Sequence, residues 1–166
     1  MEPMVHDAVK PIGFLIGKWK SFSANGKFPP RVDPFTYKEE LEFTSMGQPM
    51  LNYKSTTWHP ESGKPMHLEV GFLKVKPGTK EVAFIVAHNF GITSVEEGVV
   101  FDDKSIKVKG TKISRAEMNK DPSVTEIQRT IELKQDGRLQ IIVSMSTSLN
   151  DNCEEHLVVV YEKVDG

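Results

Sequence analysis

The sequence predicts an all-β protein of about ten antiparallel strands closed into a barrel, preceded by a short helical turn. Three observations support this fold class. About ten segments are rich in β-branched and aromatic residues, Gly, Pro and Asp cluster between them, and helical periodicity is weak throughout. Closure removes unpaired strand edges. A barrel of about eight strands can already hold one small ligand, and a barrel of about ten strands has a wider lumen. A filled sandwich is the alternative.

The elements follow one another with short turns between them. A helical turn from Pro11 to Leu15 precedes a first strand centred on Trp19. Further strands are predicted in FTYKEELEFTS, PMLNYKSTTWH, HLEVGFLKVK and KEVAFIVAHNF. The segment GITSVEEGVVFDD is interpreted as two strand pieces with a kink at Gly98. KSIKVKGTKISRA adds one or two strands, and a short helical segment is expected near 116–119.

The C-terminal part of the chain contains the clearest hairpin and the last strand. In SVTEIQRTIELKQDGRLQIIVSMSTSL, an Asp-Gly pair at 136–137 forms the turn. The last strand, EEHLVVVYEKV, opens on His156, which is in phase with Val158 and Val160. Residues two apart on a strand point to the same face. If both valines face a core, His156 therefore points into the same interior, near its mouth.

Length, charge and cysteine content limit the functional classes. The chain has 166 residues, so we expect one domain over 1–166, large enough for a real core. A net charge of -2, from 21 basic and 23 acidic residues, does not suggest nucleic acid or an anionic membrane as a partner. Cys153 is the single cysteine, which excludes an intrachain disulfide and a cysteine-rich zinc site within this chain. The apolar patch at 12–16 is too short for a membrane span. We predict a soluble cytoplasmic protein, with the nucleus as an additional location left open.

Five histidines are the candidate chemical groups. His6 and His59 are interpreted as solvated loop residues, and His88 as a strand-end cap. His67 and His156 open strands and are harder to assign. Each is either a hydrogen-bonded histidine at the barrel rim or the axial ligand that a haem iron requires. No histidine pair has metal-site spacing, and no catalytic triad or phosphate-binding loop is evident.

The order of motifs carries a resemblance. From Ile12 to Val164 the chain resembles the nitrobindin family of haem-binding β-barrels. The segments that carry the resemblance are IGKWKSFSANGKFPPRVDPFTYKEELEF, GQPMLNYKSTTWHPESGKPMHLEVGF, VAFIVAHNFGITSVEEG and VSMSTS with EEHLVVVYEKV. The chain looks closest to the animal branch, in which the barrel follows an N-terminal THAP zinc finger. One cysteine cannot build that finger, so we expect no nucleic-acid binding from this chain.

The resemblance implies roles for individual residues. It makes His156 the axial ligand of one ferric haem b, puts Met145 in the pocket, and puts Met66 and His67 on the side opposite His156. His67 is expected to tune access without coordinating the iron. Because Met145 is placed inside, two residues on the same strand face are predicted to point inward with it, Ile141 and Val143. The match to the family signature starts at Gly17 and Trp19.

The chain departs from the family pattern at two places. Ser21 and Ser23 stand where the signature has glycines. Pro30 and Arg31 stand where the family has a threonine close to the haem, and both are predicted to be near the cofactor. Proline has no backbone N–H to donate, so we expect Arg31 to contact a haem propionate through its charge.

The resemblance also implies an activity. Nitrobindins bind nitric oxide, and members convert peroxynitrite to nitrate. We expect few hydrogen-bond donors on the distal side, which disfavours stable dioxygen storage. One alternative is a haem-based nitric oxide sensor or a haem carrier that does not act as an enzyme. Another is a haem-free, lipocalin-like or fatty-acid-binding barrel, which requires an interior basic residue to hold a carboxylate. No such residue is evident in the sequence.

Overall fold

The computed structural model of the protein describes residues 4–28 and 33–165, which form one 3₁₀ helix and eleven antiparallel strands. The helix is Asp7–Leu15. The strands are β1 Gly17–Gly26, β2 Phe35–Thr36, β3 Lys38–Ser45, β4 Met50–Trp58, β5 Pro65–Val75, β6 Glu81–His88, β7 Ile92–Phe101, β8 Ser105–Arg115, β9 Val124–Leu133, β10 Leu139–Thr147 and β11 Asn150–Lys163.

Ten of these strands close into a ring. Each strand from β3 to β11 pairs with the next in sequence, β3 also pairs with β1, and β11 pairs back with β1. The two-residue strand β2 pairs with the end of β1. The predicted antiparallel barrel of about ten strands is therefore confirmed, and the alternative of a filled sandwich is wrong.

The 3₁₀ helix closes the end of the barrel at which β1 begins. It starts at Asp7 and is thus longer than the turn predicted from Pro11. Its side chains Val9, Ile12 and Leu15 are fully buried in the core, and the partly buried Phe14 packs against it. The indole N–H of Trp19 donates to the Leu15 carbonyl at 2.9 Å, which joins helix and β1. No helix in the described part of the chain is long and apolar enough to cross a membrane.

Two local predictions are wrong. Strand β7 continues through Gly98, and its irregularity lies where pairing with β8 shifts between Val95 and Glu97. The segment at 116–119 is a turn and not a helix, closed by the Asn119 N–H donating to the Ala116 carbonyl at 3.0 Å.

The predicted phase of the last strand is also wrong. Val159 and Tyr161 of β11 are buried in the barrel interior. Val158 and Val160, which were expected to share a face with His156, alternate with these two residues and are partly exposed. Strict alternation would therefore put His156 on the outside.

A β-bulge brings His156 back to the interior. In the pairing of β11 with β10, Leu157 lies opposite Val143 and Glu155 lies opposite Ser144, so His156 is the extra residue between them. Such a residue breaks the alternation of side chains. As a result His156 and Leu157, although adjacent in sequence, both line the interior cavity.

Candidate functional site

A cavity of about 530 Å³ opens at the end of the barrel opposite the 3₁₀ helix. Its rim includes Phe28 after β1, Phe90 between β6 and β7, and Pro122 between β8 and β9. Cavities that hold small molecules and cofactors have volumes of roughly 300–1,000 Å³. The cavity is therefore the candidate site.

One wall of the cavity is apolar. Ile141, Val143 and Met145 of β10 all line it, which is the orientation predicted for them. Their neighbours on this side include Leu157 and Val159 of β11. A flat hydrophobic ligand would find continuous apolar contact here.

His156 lies on this wall in one fixed tautomer. Its Nδ1 lies 2.6 Å from the Lys27 carbonyl oxygen, and the Lys27 N–H donates back to the His156 carbonyl at 2.9 Å. Because a carbonyl oxygen can only accept, Nδ1 carries the proton and Nε2 keeps its lone pair. The centre of the Phe28 ring lies 4.9 Å from that of the imidazole with a tilt of 46° between the ring planes, and the Phe35 ring centre lies 6.4 Å away.

The electrostatics of His156 favour a neutral ring. Burial lowers its pKa below the usual value, and the hydrogen bond to the Lys27 carbonyl opposes this effect only in part. A neutral imidazole is the form that ligates metals. His156 thus combines the correct charge, a free Nε2 and access to the cavity.

The wall opposite His156 is more polar than the sequence suggested. Strand β6 is the fifth from β11 in either direction round the ring, so β5 and β6 lie across the barrel from β11. The residues that line the cavity there include Met66 and His67 of β5, His88 of β6, and Phe90 after β6. The interpretation of His88 as a strand-end cap is wrong, because its imidazole is buried inside the barrel.

A buried network of charges lies behind His67 and His88. Arg129 donates to Glu69 at 2.9 Å and to Glu96 at 2.7 Å. Burial tends to raise the pKa of Glu69, but the Arg129 guanidinium, the hydrogen bond from His67 and the neighbouring His88 hold it well below its usual value. This corrects the expectation of a distal side with few donors.

A third buried carboxyl group, that of Glu39, lies on the cavity floor. Glu39 accepts from the hydroxyls of Tyr161 at 2.6 Å and Ser55 at 2.9 Å. Burial raises its pKa to about 7, against the effect of those two hydrogen bonds. Close by, the Tyr37 hydroxyl faces the cavity and is buried with no hydrogen-bond partner among the described residues.

The other predicted site residues are not part of the described cavity. Pro30 and Arg31 lie outside the described residues, so their predicted contacts remain predictions. Gly17 and Trp19 lie at the closed end of the barrel, where Trp19 belongs to the core. Ser21 has a structural role, since its hydroxyl accepts the Glu39 N–H at 3.0 Å.

Sequence reasoning missed several site residues, among them Glu69, Arg129 and Glu96. The spacing His67-x-Glu69 puts both side chains on one strand face, and the β5–β6 pairing sets Glu69 directly opposite His88. These two signals could have revealed the cluster. Arg129 is in phase with Ile127 and Ile131, two buried residues of β9, so the alternation of that strand could have placed it inside.

The residues present fit a haem. His156 offers a neutral nitrogen, the wall from β10 and β11 offers apolar and thioether side chains, and the free Tyr37 hydroxyl would gain a partner from a polar group of a bound molecule. These features define the class of the protein as a cofactor-binding antiparallel β-barrel with one histidine free to ligate a metal centre.

Comparison with known proteins gives the family. A model of the THAP4-like, heme-binding beta-barrel domain matches residues 8–163, and the chain belongs to that family. The protein named Peroxynitrite isomerase THAP4 is 39% identical in Rattus norvegicus and 38% identical in Homo sapiens, over 98% of this chain in each case. The chain spans 28% of the length of those relatives.

Two further similarities extend over whole chains. An Arabidopsis thaliana protein named Peroxynitrite isomerase Rv2717c is 36% identical over 98% of this chain and 92% of its own length. The crystal structure of Rv2717c from M. tuberculosis matches with a TM-score of 0.84 at 28% identity, covering 98% of this chain and 100% of that one. The family resemblance predicted from the sequence motifs is therefore confirmed.

Proposed function

We propose that the chain binds one haem b in the ferric state, with His156 as axial ligand, and isomerises peroxynitrite to nitrate. The observation that carries this proposal is the hydrogen bond from His156 Nδ1 to the Lys27 carbonyl. It orients the ring and leaves Nε2 free to ligate the iron. A backbone carbonyl is a frequent outer partner of a metal-ligating histidine, and it is the partner that the sequence alone did not identify.

The residues around His156 hold it in place for this role. Phe28 and Phe35 stack against each other with ring centres 5.3 Å apart, beside the imidazole. Gly26 makes room for this arrangement, because a Cβ there would lie 2.3 Å from the Phe35 ring and 2.8 Å from Leu157. The ring of His156 is thus confined on one side by aromatic contacts and on another by the Lys27 carbonyl.

The opposite wall supports an open sixth position. His67 Nε2 lies 2.7 Å from the Glu69 carboxylate and is engaged by that hydrogen bond. The Thr57 hydroxyl holds the His67 backbone, accepting its N–H at 2.8 Å and donating to its carbonyl at 3.0 Å. With His67 held in this way, Met66 and Phe90 at the mouth leave the distal face free for a small ligand.

The reaction needs no outside electrons, because peroxynitrite and nitrate have the same atoms and the same charge. When bound, a ferric haem supplies a Lewis-acidic iron for this rearrangement. The chain would fix the iron through His156, and His67, Met66 and Phe90 would lie near the reacting atoms on the opposite wall. The names of the relatives in Rattus norvegicus, Homo sapiens and Arabidopsis thaliana support this assignment.

Nitric oxide binding at the same site belongs to the proposal. A sensor or haem carrier would use the same residues, so kinetics must separate these roles from catalysis. A haem-free lipid-binding barrel is disfavoured by one observation. Arg129 is the kind of interior basic residue that such a barrel requires, but Glu69 and Glu96 already neutralise it.

The test is reconstitution with haemin followed by stopped-flow kinetics. A Soret band shifted from that of free haemin, and faster peroxynitrite decay with an increased nitrate yield, would support the proposal. His156→Ala should lose both, while His59→Ala, a change at an exposed turn histidine, should lose neither. Haem uptake without faster decay would favour the sensor or carrier.

A further inference from the structure

Three potential metal ligands from β5 and β6 converge on the cavity wall opposite His156. The Nε2 of His67, the Nδ1 of His88 and one carboxylate oxygen of Glu69 lie within 4.8 Å of one another. The separations are 2.7 Å from His67 to Glu69, 3.3 Å from His67 to His88, and 3.4 Å from His88 to Glu69. All three side chains line the cavity.

These separations are close to those of a tetrahedral metal centre. Ligand atoms about 2.0–2.2 Å from Zn²⁺ lie about 3.3–3.6 Å from each other in a tetrahedron. Both distances that involve His88 have this length already. The distance between His67 and Glu69 is shorter because these two atoms share a hydrogen bond. Replacing the shared proton by a metal ion would lengthen this distance by about 0.6 Å.

The tautomer of His88 provides an independent observation. The Ser94 hydroxyl donates to the Glu96 carboxylate at 2.9 Å, so towards His88 Nε2, 3.0 Å away, it acts as acceptor. Nε2 therefore carries the proton, and the lone pair of His88 lies on Nδ1, which faces His67 and Glu69. This chain of carboxylate, hydroxyl and imidazole is the kind of outer shell that orients metal-bound histidines.

The charge around the cluster also favours a cation. Arg129 is paired with two buried carboxylates, Glu69 and Glu96, which leaves one negative charge in excess within this group. Two imidazoles and one carboxylate suit Zn²⁺ and similar transition-metal ions, whereas Ca²⁺ and Mg²⁺ prefer oxygen ligands throughout. The fourth position of such a centre would face the cavity.

We propose that His67, Glu69 and His88 form a second site in this barrel, which binds one divalent transition-metal ion of the Zn²⁺ class. With three protein ligands and a fourth position open to the cavity, the centre has the composition of catalytic zinc sites. The site is separate from His156 and does not depend on haem binding.

The test is calorimetric titration of the full chain with Zn²⁺, without added haemin and after treatment with a chelator. We expect one Zn²⁺ per chain, bound by wild type and by His59→Ala alike, and binding at that site lost in His67→Ala. Ser94→Ala removes no metal ligand, only the hydroxyl that joins His88 to Glu96, and should weaken binding by about 10–100-fold. Co²⁺ in place of Zn²⁺ should give visible absorption bands that require His67.

Control variants separate this proposal from the haem proposal. His156→Ala should keep its Zn²⁺ affinity even though it loses haem, and circular dichroism should show that each variant is folded. If His67→Ala and Ser94→Ala bind Zn²⁺ as tightly as wild type, or if wild type binds none, the proposed metal site does not exist. Neither result would affect the role assigned to His156.

Discussion

Replacing Glu39 by glutamine should change how the stability of the barrel depends on pH. In the folded state burial raises the pKa of Glu39 from 4.5 to about 7. In the unfolded chain the group ionises near its ordinary value. The protonated side chain therefore favours the folded state, and this contribution is fully present below about pH 4.5 and is lost as pH rises through about 7. At about 1.4 kcal/mol per pKa unit, it is on the order of 3 kcal/mol.

Glutamine has the shape of the protonated acid and can still accept the hydrogen bonds from Tyr161 and Ser55, but it does not ionise. Relative to wild type, we expect Glu39→Gln to gain on the order of 3 kcal/mol of unfolding free energy between about pH 4 and about pH 8. Urea unfolding of the haem-free chain measures this gain. At an m-value of about 2 kcal/mol per molar urea, the midpoint difference changes by about 1.5 M.

Comparison with wild type removes the contributions of other titrating groups, which both chains share. Glu40→Gln is the matched control, because Glu40 is the adjacent residue of β3 and lies on the exposed face. It should give little change with pH. The reasoning would be refuted if the unfolding free energy of Glu39→Gln relative to wild type stayed constant from about pH 4 to about pH 8, or if it rose as the pH was lowered.

Four further predictions concern the cavity and its support. His156→Ala should abolish specific haem binding while circular dichroism still shows a folded barrel; an unchanged haem spectrum would contradict this role. His67→Ala should retain haem and the ferric spectrum but alter nitric oxide association rates in stopped-flow experiments, whereas loss of a bis-histidine spectrum would show that it coordinates. Gly26→Ala should push Phe35 away from His156 and destabilise the fold by about 1–3 kcal/mol in urea, with weaker haem uptake; unchanged uptake would argue against the Phe35 contact. Arg129→Met leaves two buried carboxylates unpaired and should cost about 3–5 kcal/mol of stability, and a loss below about 1 kcal/mol would show that the ion pairs are not coupled to folding.

The sequence predicted the elements because the information for them is local. Strand segments, their turns and the Asp-Gly hairpin at 136–137 are each set by a few neighbouring residues, and the hairpin register of Ile141, Val143 and Met145 was correct for this reason. Closure of the barrel followed from the number of strands. The kink expected at Gly98 failed because strand pairing with β8 continues past that glycine, while the disruption falls beside Glu96.

The polar interior could not be predicted in the same way, because its members come from four strands. His67 and Glu69 share β5, but His88, Glu96 and Arg129 belong to β6, β7 and β9. Strand alternation can place a side chain inside, as it does for Arg129 between Ile127 and Ile131, but it does not show which interior side chains meet. Only the barrel register brings the arginine between two carboxylates and thereby makes its burial tolerable.

His156 shows how a correct residue can be reached by an incorrect physical argument. The phase argument assumed that Val158 and Val160 face inward, and they do not. The family motif identified the same histidine because the motif also contains the bulge that returns it to the cavity. On the edge of β11 that faces β1, the His156 carbonyl accepts the Lys27 N–H at 2.9 Å, next to the pair formed by Gly26 and Leu157. The Lys27 carbonyl in turn accepts from the imidazole Nδ1 and fixes its tautomer. A regular strand would turn the imidazole to the outside, away from the cavity. The bulge in β11 therefore orients His156 so that its Nε2 is available to a ligand in the cavity.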